Sequence, residues 1–283
     1  MERKKILEHL HSCVEKRIPI VGCGAGTGLS AQSECDGGAD ILVVYNSGRF
    51  RMQGRPSCYG RLPYGDANTI MLEMADLILP LVEDRIPVLA GINAADPFRS
   101  MRKLLAQIKE MGFSGVQNFP CIVAYEDGEY GKHLSSLGFS YQREVDMIRQ
   151  AHEMDLLTTP YVYTPEQAIA MTRAGADILV VHCQMTVGGM DALKKSEAMS
   201  LDDACRIVQT VRDAAIAERS DILVVCHGGP ISMPEDVSYV LRHTEGVAGF
   251  WAASSAERLP TELVLTERIN AFKRVRLRKE AMA

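Results

Sequence analysis

Gly-Ala-Asp-Ile-Leu-Val-Val at residues 38–44 recurs letter for letter at 175–181, and Ser-Asp-Ile-Leu-Val-Val at 220–225 is a shorter third version. Each ends in an unbroken apolar run rich in β-branched side chains. Such a run has no polar face to turn to water, so it fits a strand buried on both sides, as in a parallel sheet covered by helices. Asp177 and Asp221 are separated by the length of one βα unit, whereas Asp40 and Asp177 lie about half the chain apart.

Outward from these phrases, strands are expected at 18–22, 40–46, 87–93, 115–120, 157–162, 177–183, 221–227 and 248–253. Between them, apolar residues at three-to-four spacing predict helices at 68–84, 98–111, 141–154, 165–174, 201–217, 234–243 and 262–275. Strand and helix alternate from end to end, which requires parallel strands. Eight such repeats favour an α/β fold closed into a (β/α)8 TIM barrel over an open sheet. An extra N-terminal helix, roughly 2–16, is expected to cap the barrel bottom, with residues 1–283 forming one domain and 1–17 its cap. The two identical phrases are then strands two and six. That is the offset of two half-barrels of common ancestry, although convergence on a good buried strand gives the same pattern.

With 283 residues, 47% of them hydrophobic and 24% charged, the chain has material for one large core. It contains no run of about 18 uncharged apolar residues, and its charged N-terminus lacks the apolar stretch of a secretion signal. These features predict a soluble cytoplasmic protein that does not enter membranes. The eight cysteines stand singly, with no C-x-x-C pair, so reduced thiols are expected. A net charge of −5 argues against a nucleic-acid partner, since polyanion binding needs clustered Lys and Arg.

Active sites of such barrels lie on the loops after the strands, and here those loops carry the chain's unusual polar residues. Strand one runs into a glycine-dense turn containing Gly24 and Gly26, which suits either close ligand approach or a purely steric turn. Strand two ends at Asn46 and opens a long loop bearing Arg49, Arg51, Arg55 and Arg61. Four guanidinium forks in an acidic protein invite a phosphate or carboxylate, the alternative being pairing with surface acids. Strand three delivers Asn93 and Asp96, and strand four Gln117 and Asn118. The segment 124–140, with Glu126, Asp127, Glu129, Lys132 and His133, has the composition of a mobile lid.

Strands six and seven end in His182 and His227, each a candidate acid, base or metal ligand. Counted from the shared aspartate, His182 falls at the fifth position and His227 at the sixth. If the repeats are equivalent, alternation points the two to opposite faces, leaving one of them structural. Gly228 and Gly229 after strand seven, with Ser254 and Ser255 after strand eight, occupy the places where many barrels hold phosphate, though serines there also cap helices. Gly188 and Gly189 are placed to assist. No lysine closes a strand, which weighs against Schiff-base chemistry, and no H-E-x-x-H supports a zinc hydrolase. A Mg²⁺ held through waters by Asp96 or a lid carboxylate is compatible with the spacing.

The stretches GCGAGTGLSA (22–31), GGADILVVYNSGRFRM (37–52), PVLAGINAADPFR (87–99), GFSGVQNFP (112–120), ADILVVHCQMTVGG (176–189) and CHGGP (226–230) resemble the phosphoenolpyruvate hydrolase-like family. The resemblance runs from about Ile6 to Leu277. It implies a TIM barrel related to the phosphoenolpyruvate mutase and isocitrate lyase group, a hydrolase or lyase reaction on a phosphorylated or phosphono oxoacid, and a homodimer or higher homo-oligomer. The family also includes the barrel half of plant antiviral-resistance proteins, which implies the alternative of a non-catalytic, ligand-sensing or partner-binding barrel. Mutase relatives hold Mg²⁺ with clustered carboxylates and carry a Lys/Cys/Gly gating motif. Here Asn46 and Asn93 stand where acids are wanted, so no catalytic residue transfers directly. The residues themselves nominate His182, His227, Asn46, Asn93, Asp96 and Asn118 for catalysis, with Gly24, Gly26, Arg49, Arg51, Gly228, Gly229, Ser254 and Ser255 for the anion.

Overall fold

In the computed structural model, which describes residues 1–82, 84–126, 128–189 and 197–277, every strand pairs in parallel with its neighbours. The strands are β1 (Ile20–Gly24), β2 (Ile41–Val44), β3 (Val88–Gly91), β4 (Gly115–Gln117), β5 (Leu157–Thr158), β6 (Tyr161–Val162), β7 (Ile178–His182), β8 (Leu223–His227) and β9 (Gly249–Ala252). β5 and β6 are two halves of the single strand expected at 157–162. Pro160 has no N–H to continue the ladder, and the strand bends there. Its first half pairs with β4 and its second with β7, while β1 pairs with β9. The N–H of Thr159 donates to the Val116 carbonyl and that of Val180 to the Pro160 carbonyl, so the ring closes through the bend as an eight-stranded barrel.

Alternation sorts the strand residues into two cores. Ile41, Val43, Ile178, Val180, Leu223 and Val225 point into the barrel with Trp251, and Leu42, Val44, Leu179, Val181 and Val224 pack under the helices. The outer layer includes α2 (Gly28–Asp36), α4 (Ala67–Val82), α5 (Met101–Glu110), α8 (Gln142–Glu153), α9 (Pro165–Arg173), α10 (Leu201–Glu218) and α11 (Pro234–Arg242).

The N-terminal helix, α1 (Arg3–Glu15), closes the barrel bottom with Ile6, Leu10 and Cys13 in the inner core. The two identical phrases do equivalent work here. Asp40 accepts the Val21 N–H and meets His9 of α1, while Asp177 accepts the Thr158 N–H and two bonds from Arg3 of α1. The third phrase is not equivalent: Asp221 is exposed and β8 has slid by one, so that Ile178 faces Leu223.

Three expectations change. The stretch after β2 is not a loop but a short helix, α3 (Asn46–Met52), followed by a 3-10 turn, Ser57–Arg61. The lid segment is largely helical, in α6 (Val123–Glu126) and α7 (Gly128–Ser136), with Asp127 outside the described residues. The last helix, α12 (Arg258–Arg274), starts earlier than expected and buries only Arg258 and Leu259, leaving Leu263, Leu265, Ile269 and Phe272 exposed. No helix among the described residues is long and apolar enough to cross a membrane, and all eight cysteines are free thiols.

Candidate functional site

At the C-terminal ends of the strands, the inward positions of β7 and β8 become polar: Ile178 and Val180 are followed by His182, and Leu223 and Val225 by His227. The two histidines are cross-strand partners with ring centroids 4.7 Å apart. The expectation of opposite faces fails because the one-residue slip of β8 cancels the difference counted from the aspartates. His227 Nδ1 bonds the Trp251 carbonyl at 2.6 Å, which makes it the protonated nitrogen and leaves Nε2 as an acceptor. His182 stacks on Tyr163, and Tyr161 meets both imidazoles edge-on or tilted. Burial pushes His227 down to about 4 and His182 well below the usual histidine range, so both are neutral at pH 7.

The arginines divide by partner. Arg49 lies outside the mouth and pairs with Glu73. Arg51 is buried, donates to Glu257 through Nε at 2.6 Å and gives a second bond to the Gly24 carbonyl. The other Glu257 oxygen accepts the Gly26 N–H and the Ser30 hydroxyl. The anion at Arg51 and the glycine turn is thus the chain's own carboxylate. The turn itself is steric: a Cβ on Gly24 collides with the Tyr45 hydroxyl, and one on Gly26 with the Gly48 carbonyl.

Arg61 differs. Its guanidinium lies over the Phe119 ring, donates to the Tyr163 hydroxyl at 3.2 Å and approaches His182 Nε2 at 3.5 Å. Its Nε is buried without a hydrogen-bond partner, and no carboxylate among the described residues pairs with it.

Arg61 separates two spaces. Inside is a cavity of about 30 Å³ whose walls include Ser57, Tyr161, His182, His227 and Ser254, room for about two waters. Outside is a groove of about 560 Å³ between the 3-10 turn and the α6–α7 segment, reaching Asn93, Cys121 and Tyr130.

Hydrogen bonds and close packing engage most of the remaining candidates. Asn118 replaces the ladder partner lost at the bend: its Oδ1 accepts from Tyr161 N, and its Nδ2 donates to Tyr161 O and to Glu144. Asn46 donates to the Gly60 carbonyl, and Asn93 Oδ1 accepts from Ala95 N. Asp96 is enclosed by Asn68, Arg99 and the Phe98 N–H. Gly228 and Gly229 have positive φ and leave no room for a Cβ before the Gln184 and Cys183 carbonyls, and the Gly229 N–H donates to the Gln184 carbonyl, which ties the β7 and β8 loops together. Ser254 lines the cavity and bonds Ser57, whereas Ser255 is not among its walls.

Sequence reasoning noted Arg61 but did not choose it, and it missed Tyr161, Tyr163 and Ser57. The tyrosines carried a usable signal, since Tyr161 and Tyr163 stand two residues apart at the end of one strand, polar-tipped as the histidines are at the ends of theirs.

Residues 5–275 match a family model described as phosphoenolpyruvate hydrolase-like. The chain is 48% identical over 274 residues to the ToMV resistance protein Tm-1(GCR237) of Solanum lycopersicum, covering 97% of this chain and 36% of that protein. It therefore spans little more than a third of that relative's length. Among solved structures, phosphoenolpyruvate phosphomutase from Streptomyces platensis subsp. rosaceus has a TM-score of 0.61 at 15% identity, covering 94% of this chain and 87% of that one. Phosphonopyruvate hydrolase in complex with oxalate and Mg++ has a TM-score of 0.60 at 13% identity, covering 96% and 88%. At such identities the likeness is one of fold.

Proposed function

The chain belongs to the phosphoenolpyruvate hydrolase-like family, and from that premise we propose that its barrel mouth binds and turns over a small oxoacid anion, phosphonopyruvate-like or oxaloacetate-like, in the cytoplasm. Arg61 is the observation that carries this reading: a guanidinium fork with no carboxylate partner among the described residues, at the boundary of groove and cavity, beside two neutral imidazoles. The fork matches a carboxylate or phosphonate and balances the charge of an enolate formed from the bound acid. His227 Nε2, unprotonated and facing the cavity, takes a proton from the substrate or the attacking water. The cavity admits an oxoacid only when the turn Ser57–Arg61 draws back toward the groove.

Mg²⁺ is implied by the solved relative in complex with it, yet the donors here do not suit it. Mg²⁺ takes carboxylate and water oxygens, and the described walls of the cavity offer hydroxyl, imidazole and guanidinium groups instead. Three carboxylates near the mouth are engaged: Glu257 by Arg51, Asp96 by Arg99, and Glu144 by Asn118, Cys121 and the Ile122 N–H. The same want of carboxylates favours a second reading, a barrel that senses its ligand without converting it.

Thermal shift and turnover with phosphoenolpyruvate, phosphonopyruvate, oxaloacetate and oxalate, each with and without Mg²⁺, test both. At least one acid is expected to stabilise the protein without Mg²⁺. An anion beside neutral imidazoles raises their proton affinity, so binding takes up protons and tightens as the pH falls from 8 towards 5. Stabilisation without turnover selects the sensing barrel, and no response to any acid refutes the anion site.

The exposed apolar side of α12 supports a homodimer, since apolar side chains this concentrated mark an interaction surface. Light scattering is expected to give twice the chain mass, and Ile269→Glu with Phe272→Glu to halve it; an unchanged mass rules out α12 as the interface.

A further inference from the structure

We propose that His9, Cys13 and Asp40 form a zinc site at the bottom of the barrel, on the face opposite the mouth. His9 and Cys13 are one turn apart on the same side of α1, and Asp40 stands just ahead of β2. His9 Nε2 is 2.9 Å from Asp40 Oδ1 and 3.6 Å from Cys13 Sγ, and Sγ is 3.9 Å from Oδ1. With Zn–N and Zn–O near 2.0 Å and Zn–S near 2.3 Å, the edges of a tetrahedral site are about 3.3–3.6 Å. All three separations come within about 0.5 Å of that triangle. Nitrogen, thiolate and carboxylate together suit zinc rather than Mg²⁺ or Ca²⁺, which prefer oxygen alone.

The site is built rather than incidental. The Val21 N–H holds Asp40 Oδ2 at 2.8 Å, which fixes the carboxylate with Oδ1 toward His9. Cys13 is buried, and His9 is exposed on the edge of a groove that also touches Glu2, Lys5 and Arg85, so an ion has an entry path and room for a water as fourth ligand.

The pseudo-equivalent position supplies a comparison within the same chain. Asp177, in the second copy of the phrase, takes the same backbone bond but has a permanent cation, Arg3. Tying α1 to an aspartate therefore needs only an arginine. The imidazole and thiol at Asp40 are the combination that a metal ion uses. On binding, Cys13 releases its thiol proton to solvent and His9 and Asp40 give lone pairs, so affinity rises with pH. Occupancy then pins α1 to the barrel.

Equilibrium dialysis of the full chain against zinc, followed by metal analysis, is expected to give one ion per chain. Cobalt is expected to give a thiolate charge-transfer band and the visible spectrum of a four-coordinate ion. Cys13→Ser and His9→Ala are expected to remove that band and weaken zinc binding by at least about tenfold, and Cys58→Ser to change neither. Zinc should raise the melting temperature of the wild type but not of these variants, each compared with its own metal-free form. Because His9 is exposed, His9→Ala keeps the test available if Cys13→Ser misfolds. No zinc uptake, or a cobalt–thiolate band that persists in Cys13→Ser, overturns the proposal. Oxoacid binding at the mouth is unaffected in either case, so the two readings fail separately.

Discussion

Glu257→Ala is expected to destabilise the fold by about 3–5 kcal/mol, seen as a fall of roughly ten degrees in melting temperature. The size follows from what the carboxylate holds. Arg51 and Glu257 have side chains 1% and 0% exposed, and Glu257 also accepts from the Gly26 N–H and Ser30 Oγ. One side chain thus joins the turn after β1, α2, α3 and the approach to α12. Removing it leaves a guanidinium buried without its counter-charge and the Gly26 N–H without its acceptor, while Ser30 Oγ keeps the Thr27 carbonyl, and the first two losses cost the desolvation that the carboxylate had offset. The double variant Arg51→Met, Glu257→Leu is expected to recover most of the loss, because an apolar pair of similar volume has no such charge to bury. Differential scanning calorimetry of the two single variants and the double decides it. A loss under about 1 kcal/mol in Glu257→Ala, or a double variant as unstable as the sum of the singles, would show that the pair is not a coupled unit.

The barrel was legible because burial on both faces leaves a signature in composition itself: a short, β-branched, wholly apolar run such as Ile41–Val44, repeated between helical periods, fits a covered strand. Where elements are held by polar contacts, the signature disappears. The segment after β2 has no apolar periodicity, yet Asn46 bonds the Gly60 carbonyl and Ser47 the Ser57 carbonyl, and these bonds fold it into a helix and a turn. The mouth was legible in part. His182 and His227 stand out at strand ends, but their shared facing depends on how β7 and β8 align, which neither strand encodes alone. The arginines show the limit more sharply. Arg49, Arg51 and Arg61 are alike as sequence, and only the fold brings Glu257, 206 residues away, to Arg51 and brings no described carboxylate to Arg61. The partners of Asn118 were illegible for a similar reason, since its amide is taken up at a bend at Pro160 that lies in another strand.

Arg61→Ala is expected to act with the opposite sign on stability and to abolish the response to oxoacids. Without ligand, Arg61 is a charge drawn over the Phe119 ring and against two imidazoles, with Tyr163 its nearest polar partner. Truncating it relieves an uncompensated charge, so the unliganded variant should be as stable as the wild type or more so, the trade of stability for function that active sites display. With ligand the balance reverses. The acid loses the cation that holds it in a partly desolvated site, a loss of about 2–4 kcal/mol, or roughly 30- to 1000-fold in affinity. Arg61→Lys keeps the charge without the two-pronged fork and should fall between. Titration calorimetry with the acid that most stabilises the wild type measures the affinity, and thermal melting of the unliganded variants measures the other half. An affinity within threefold of wild type, or an unliganded Arg61→Ala as unstable as Glu257→Ala, would mean that Arg61 is a second structural arginine and that the anion binds elsewhere. The contrast between the two variants is therefore the sharpest test of the site: both arginines meet the same cavity, and only loss of the one with no described carboxylate partner should abolish ligand binding while keeping the fold.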